Sequence, residues 1–479
     1  MRKILVWFRR DLRVADNPAL SAAKSDRVIP IYIHAPDDEA PWQPGAASNW
    51  WLHHSLLSLQ DRLKTIGSRL IIRQGDTQQV LSRLIEETGA EAVYCNRLYE
   101  PATIKRDTKL KKQLTDQGLE YRSFSGSLLF EPWQIKTGND TPYKVYTPFW
   151  HACEKQGLPH DIQPAIRKLS AVSTRLKSMH VDELQLLPHI DWDAAFYEHW
   201  QPGEAKAQKR LREFIKHDLA DYDRSRDYPE RTGTSRLSPH LHFGEISPRQ
   251  IVYAIEQARH TVQSPTFSKN ANSYLREIIW REFTHHVLYS FPDTLSKPLN
   301  PRFKQFPWQN RQTKLLRAWQ LGQTGFPIID AGMRELWHTG IMHNRVRMIV
   351  GSLLTKNANY HWLQGAKWFW DTLVDADLAQ NTFNWQWIAG CGADAAPYFR
   401  IFNPVTQSEK FDKNGNYIRK WVSELRDVPN KFIHTPWEMD EQQQAQYRCR
   451  IGHDYPERIL DLKQTREEAL RLYKQTSGD

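Results

Sequence analysis

Cysteine is scarce: the chain has 479 residues and only four of them are cysteine. Cys95, Cys153, Cys391 and Cys449 stand far apart with no CxxC, so neither a disulfide framework nor a zinc ribbon is expected. Histidines come singly or as the pairs His53-His54 and His285-His286, without HExxH or zinc-finger spacing, so no metal is expected either. No apolar run reaches the ~18 residues of a membrane span. In the opening MRKILVWFRRD, Arg9, Arg10 and Asp11 cut the apolar stretch short, which excludes a signal peptide and points to a reducing cytoplasm. No GxGxxG follows that first apolar run, so no dinucleotide is expected there in the Rossmann manner. Charge of one sign is not concentrated: the surplus of +10 is spread along the chain and favours a polyanionic partner only weakly.

What is abundant is tryptophan, with 19 residues in the chain and nine between Trp280 and Trp387. The rest is ordinary globular composition, 40% hydrophobic and 25% charged. Residues 1–130 alternate strand and helix patterns. Apolar runs at 3–8, 27–34, 70–73 and 92–95 read as strands, and 49–66, 80–87 and 102–117 read as helices. In 49–66 the apolar set is Leu52, Leu56, Leu57, Leu59 and Leu63. This alternation predicts an α/β domain with a parallel sheet. Residues 131–200 have weak periodicity and many prolines and read as a long interdomain connection. From 201 to 479 strand signals vanish, and an all-α domain is predicted.

Four stretches can carry chemistry. Residues 232–249 read TGTSRLSPHLHFGEISPR, where Ser238-Pro239 and Ser247-Pro248 each look like an N-cap followed by proline. Ahead of the first cap, small residues, hydroxyls and Arg236 suit a phosphate, because free N–H groups, a helix dipole and a cation converge. Two ordinary capped helices fit the same letters. Residues 274–288 read YLREIIWREFTHHVL. At ~100° per residue, Leu275, Ile278, Ile279 and Phe283 share one side and Glu277, Trp280, Arg281 and Thr284 the other. The second face either stacks a base and holds a phosphate, or is a solvated Glu277–Arg281 pair of little energy. Residues 339–347 read TGIMHNRVR, with Gly340 closing one helix, and Asn344 offering both a donor and an acceptor on the next. Arg345 and Arg347 point to different sides of that helix. Residues 371–387 read DTLVDADLAQNTFNWQW. Asp375 and Asp377 form an acidic pair for a cation, a ribose hydroxyl or an arginine. Asn381 and Trp385-Gln386-Trp387 follow. A tryptophan stripe is usually core, but nine in one region exceed what packing asks for.

Together these stretches resemble the photolyase/cryptochrome flavoprotein family over roughly residues 3–450. The resemblance rests on WFRRDLRVADNPAL, TGTSRLSPHLHFGEISPR, YLREIIWREF, TGFPIIDAGMREL, MHNRVRM and LAQNTFNWQWIAGCGADAAPYFRIFNP, six motifs in the right order. Within the family the chain is most similar to photolyases that repair cyclobutane pyrimidine dimers. Glu277 and Trp280 match the dimer-repair pattern, Asn344 stands where (6-4) photolyases and animal cryptochromes carry a histidine-containing variant, and Asn381 and Trp387 stand where plant cryptochromes have aspartate and tyrosine. The stretch SNWWLHHSLLSLQDRL resembles plant cryptochromes, which suggests the bacterial class III branch.

The resemblance implies a Rossmann-like α/β domain, a long linker and an all-helical domain holding FAD. Tyr222, Tyr274 and the run Thr234, Ser235, Arg236, Leu237 and Ser238 are expected to hold the flavin phosphates. Asp375, Ala376 and Asp377 are expected by the flavin, with Arg347 paired to Asp375 and Asn381 facing the flavin N5. Trp280 and Trp387 would stack on a flipped-out dimer, and Glu277, Asn344 and Met348 would contact it. Arg226, Arg281 and Arg345 would meet backbone phosphates of DNA. Trp385, Trp362 and Trp308 match the family's electron-transfer chain. An antenna chromophore is expected in the first domain, methenyltetrahydrofolate ahead of a deazaflavin, with Trp42 and Glu100 either its contacts or ordinary surface and core residues. The expected protein is a monomer. The competing readings are a cryptochrome photoreceptor without repair, a (6-4) photolyase, and a dark DNA-binding protein.

Overall fold

A short apolar run bounded by turn residues, with no polar side to show to water, is built as a strand covered on both faces. Lys3–Phe8 (β1) and Arg27–His34 (β2) are such runs, and the structure, a computed structural model, has them as neighbouring parallel strands. It describes residues 1–395, 397, 398 and 400–477. Ala396 and Phe399 of the last motif, and Gly478 and Asp479 at the end of the predicted all-α region, lie outside the described residues. Ile71–Gln74 (β3), Ala92–Asn96 (β4) and Glu120–Phe124 (β5) complete a five-stranded parallel sheet in the order β3-β2-β1-β4-β5. Pro30 sits in β2 where pairing with β3 has not begun, which starts only at Ile31 beside Ile71, so its missing N–H costs no bond on that side. β5 escapes a sequence reading because EYRSF is short, polar and an edge strand with one buried residue.

Helices Pro18–Ala23 (α1), Ala46–Thr65 (α2), Thr77–Thr88 (α3) and Pro101–Asp116 (α4) surround the sheet. In α2 the apolar residues Leu52, Leu56, Leu59 and Leu63 turn inward, while Leu57 is 40% exposed. The stretch 131–200, read as a connection, contains a helix, Tyr146–Gln156 (α5), whose Tyr146, Phe149 and Trp150 pack into the second domain's core. Beyond it the chain is helical, with Pro248–Val262 (α6), Pro265–Ser290 (α7), Pro327–Thr339 (α8), Asn344–Ser352 (α9), Trp362–Thr372 (α10) and Leu378–Ala389 (α11) framing the site. Ser247 caps α6 through a full capping box, and Ser264 caps α7, which therefore starts well before residue 274. Gly340 and Gly390 end α8 and α11 in the left-handed conformation. None of the helices described is long and apolar enough to cross a membrane.

The two domains are joined by buried polar groups that satisfy one another. Arg13, fully buried, donates to three backbone carbonyls from separate segments: Asp16 at 2.8 Å, Gly126 at 2.6 Å and Gly244 at 2.8 Å. Asp16 accepts from Ser247 Oγ at 2.5 Å and Arg249 Nε at 3.1 Å on the far side. Gly244 has φ +65, and a Cβ there would lie 2.2 Å from the Arg10 carbonyl oxygen, so only glycine fits. Glu245 accepts from Trp51 Nε1 at 3.2 Å and Gly203 N at 2.7 Å and bonds His240. The second half of TGTSRLSPHLHFGEISPR is therefore the seam between domains. Replacing Arg13 by Met strands three buried carbonyls, and the expected loss is about 3 kcal/mol or more in urea unfolding. Arg13→Lys, with no fork of donors, should recover only part of it. A loss under about 1 kcal/mol would contradict this role.

Candidate active site

The residues singled out around the flavin and the lesion converge on one cavity of ≈ 520 Å³ in the helical domain. Tyr222, Thr234 to Ser238, Tyr274, Glu277, Trp280, Asn344, Arg347, Met348, Asp375 to Asp377, Asn381, Trp385 and Trp387 all line it. So do Arg226, Arg281 and Arg345.

One wall is the TSRLS loop. Arg210 ties it down from below, donating to the Ser235 carbonyl at 2.8 Å and the Thr234 carbonyl at 3.0 Å. Arg236 is held at φ +53 with its guanidinium 5.7 Å from the centre of the Trp200 ring. Among the described residues no carboxylate lies within ion-pair distance of it; Glu335 on the same cavity acts on it from farther off, and burial pushes its pKa down. A partly desolvated cation with no contact partner suits an anion. Ser238 is not the N-cap its sequence suggests. Leu237 takes that place, Ser238 becomes the first helical residue, and its hydroxyl donates 2.7 Å to Asp375. A charge-assisted bond to a carboxylate outweighs a cap on a five-residue helix.

Asp375 also receives Arg347 on both oxygens, each at 3.1 Å. Asp377 caps α11 through Gln380 N at 3.0 Å. Its other oxygen lies 3.6 Å from His242 Nδ1 and 3.5 Å from His285 Nε2, and these imidazoles hold it well below the usual carboxylate range against burial. Asn381 donates its amide to the Ala366 carbonyl at 2.9 Å, so its amide oxygen remains free to accept.

The opposite wall is α7. Glu277 does not pair with Arg281 one turn on; it pairs with Arg226 at 2.8 Å. Arg345 grips Asp227 with two 2.8 Å bonds, while Arg347 two residues later faces Asp375. Arg281 corrects a sequence expectation. It is turned inward, 6% exposed, donating to the Ser127 carbonyl at 2.8 Å beside Glu282, so it braces the domain seam and is not available to DNA phosphates. Glu282 in turn accepts from Leu129 N at 2.8 Å and Phe130 N at 3.2 Å. Trp280 stacks face to face on Tyr146, a contact no local pattern in 131–200 announces.

Trp362 and Trp308 lie outside the cavity and lead away from Trp385. Trp385 presses on α10 so closely that a Cβ at Gly365 would lie 2.0 Å from its ring. Trp362, one turn earlier on α10, is fully buried. His361 sits between it and half-buried Trp308, at ring-centre distances of 5.4 and 5.8 Å.

The first domain has a smaller cleft of ≈ 70 Å³ at the carboxyl ends of β1 and β2. Trp7, Arg9, Arg10, Tyr32, His34, Arg106 and Trp370 line it. Neither predicted antenna contact reaches into it. Trp42 is 8% exposed and packs edge-on against Trp370. Glu100 is consumed by Arg10 at 2.7 Å and Thr103 at 3.2 Å. Both are packing and pairing residues here. Among the described residues no group of three or more His, Cys, Asp or Glu side chains is arranged to hold a metal.

Comparison with known proteins shows the family. Residues 274–475 match the FAD binding domain of DNA photolyase, and residues 4–168 match the DNA photolyase domain. A deoxyribodipyrimidine photo-lyase of Agrobacterium fabrum is 45% identical over 98% of this chain and 97% of its own. The chain belongs to the DNA photolyase/cryptochrome family. The crystal structure of a bacterial class III photolyase from Agrobacterium tumefaciens superposes with a TM-score of 0.95 at 44% identity, covering 100% of this chain and 98% of that one. Cryptochrome-1 of Arabidopsis thaliana is 36% identical over 96% of this chain and 69% of its own. The family's helical domain binds FAD, and the residues here fit that cofactor: Arg236 has no carboxylate in contact with it, and the free Asn381 oxygen offers an acceptor for a ring N–H.

His343 caps α9 beside Asn344, accepting from Arg345 N at 3.2 Å, and burial pushes its pKa down to about 4. The unfolded chain takes up this proton below ~6.5 while the folded chain does not until about 4, so stability falls as pH drops through that window, by about 3 kcal/mol at most. His343→Asn keeps a capping side chain and should flatten that part of the pH–stability curve. An unchanged slope between pH 6.5 and 4 would contradict this assignment.

Proposed function

We propose that this chain is a light-driven cyclobutane pyrimidine dimer photolyase of the class III type, a monomer acting on DNA in the bacterial cytoplasm. The observation that carries the reading is that Glu277, Trp280, Asn344 and Trp387 line the same cavity as the residues that suit FAD. A cryptochrome needs only the second group.

In this reading Arg236, with the hydroxyls of Thr234 and Ser235 and the neighbouring N–H groups, neutralises the flavin pyrophosphate. Tyr222 and Tyr274 close that end of the cavity. Asp375, held by Arg347 and Ser238, and Asp377, held by two imidazoles, keep fixed negative charge beside the ring system. The Asn381 amide oxygen, free beside the Ala366 carbonyl bond, would accept from a ring N–H of the reduced form and favour it. When bound, the reduced, photoexcited flavin would supply the electron that opens the cyclobutane ring and take it back.

A dimer inside a duplex has to be flipped out, at a cost of a few kcal/mol that damage lowers. Trp280 and Trp387 offset this by stacking, each worth ~1–3 kcal/mol. Glu277 and Asn344 hydrogen-bond the pyrimidine edges, with Met348 one turn further along α9 packing against them. For Glu277 to do so, Arg226 has to release it, and the freed guanidinium then meets a backbone phosphate, as does Arg345 once Asp227 lets go. Affinity for DNA should therefore fall with salt. Trp385, Trp362 and Trp308 carry electrons from the surface to the flavin. A second chromophore, methenyltetrahydrofolate by the family resemblance, belongs with the first domain; the cleft at the ends of β1 and β2 is a poor place for it, because Arg9, Arg10 and Arg106 are already paired with Asp107, Glu100 and Asp38 and Trp7 is buried beneath two of them.

The test is an oligonucleotide carrying one thymine dimer, mixed with the reduced protein in blue light and in the dark. Light-dependent recovery of thymine absorbance is expected. Its absence would overturn the repair reading and leave the cryptochrome. In the same assay Trp385→Phe, given already reduced flavin, should repair normally, while its own photoreduction from oxidised flavin slows by at least about tenfold. Unchanged photoreduction would remove Trp385 from the electron path.

A further inference from the structure

Trp280 does not fix its own ring. The indole turns on two side-chain torsions and is only half-buried. Its inner face is covered by Tyr146, with ring centres 3.6 Å apart and planes 8° from parallel. Tyr146 is 2% exposed and is itself anchored. Its hydroxyl donates 2.7 Å to the Arg276 carbonyl, one turn before Trp280 on α7, and its edge rests on Phe283 at 5.8 Å. Phe283 and Phe383 close the edges of Trp280 at 5.9 and 6.0 Å. What remains is the outer face, which lines the cavity, whereas Tyr146 does not reach it.

We propose that Tyr146 is the positioning residue for lesion recognition: by stacking behind Trp280 it presets the indole plane against which the dimer docks. The inference rests on the reading that Trp280 stacks on the lesion. A clamp already ordered in the free protein spares the complex the cost of ordering it, so the effect falls on dimer affinity. Binding of undamaged DNA, which relies on phosphate contacts, should not change.

The experiment measures dark binding of the FAD-loaded protein to a single-dimer oligonucleotide and to its undamaged twin by fluorescence anisotropy. Tyr146→Leu should weaken dimer binding about tenfold and leave the undamaged strand alone. Tyr146→Phe keeps the stacked ring and should stay within about twofold of the parent. In a Trp280→Leu background Tyr146→Leu should add no further loss. Tyr146→Met, unbranched and close in volume, should repeat the loss if the leucine variant does not retain FAD. Full dimer affinity in both the Leu and Met variants, an equal loss on both DNAs, or an undiminished loss on top of Trp280→Leu would each overturn the proposal. A parent protein that does not tell the two DNAs apart would overturn the repair reading and this proposal with it. A parent that discriminates beside a Tyr146→Leu variant that discriminates equally would remove Tyr146 alone.

Discussion

The seam between the sheet domain and the helical domain is largely closed to water, so a polar group there is stable where another answers it. Arg13 answers three carbonyls at once, Asp16 answers Ser247 and Arg249, Glu245 answers Trp51 and Gly203, and Glu282 answers the backbone at 129 and 130. A half-satisfied network of this kind is worse than none. The helical-domain partners of these bonds lie on the 240–249 segment and α7, with Gly203 beside them. Those same elements carry the TSRLS loop and the Glu277–Trp280 face. The docking of the domains and the shape of the cavity are thus one constraint.

Inside the cavity the electrostatics are deliberately unequal. Asp375 is paired with Arg347 and Asp377 lies beside two imidazoles, while Arg236 has no carboxylate in contact and feels only Glu335 from farther off. An anionic cofactor that binds such a partly buried cation stabilises the fold by mass action. At the rim the balance is reversed: Arg226 and Arg345 are paired with Glu277 and Asp227, in half-exposed bridges that cost little to open. A permanent cofactor inside and an exchangeable polyanion outside call for this division.

Much of this was legible in the sequence because it is written in local patterns. Buried strands, the Ser247-Pro248 cap and glycine stops need only neighbouring residues to be read, and the cavity lining follows from the family resemblance that six motifs in order carry. What escaped depends on contacts distant in sequence. Arg281 stands on the polar side of α7 by its spacing, yet the neighbouring domain covers that side at Ser127 and turns it into core. Ser238 has the letters of a cap, but a carboxylate 137 residues away claims its hydroxyl. Trp42 and Glu100 have the right residue types for an antenna contact, and Trp370 and Arg10 have taken them. Tyr146 sits in a proline-rich stretch of weak periodicity, and only the fold brings it behind Trp280. The tryptophan surplus likewise divides only in three dimensions, into rings on the cavity, a file leading outward through Trp362 and Trp308, and core.

The residues proposed to contact the lesion and those proposed to hold the flavin line one cavity, so on that proposal a bound dimer is within electron-transfer reach of the cofactor. The fluorescence lifetime of the reduced flavin reads this directly, before any product forms. Adding dimer-containing DNA should shorten that lifetime in the intact protein, and the same DNA without the dimer should leave it unchanged. A lifetime that is indifferent to the dimer, under conditions where the DNA is bound, would contradict the account.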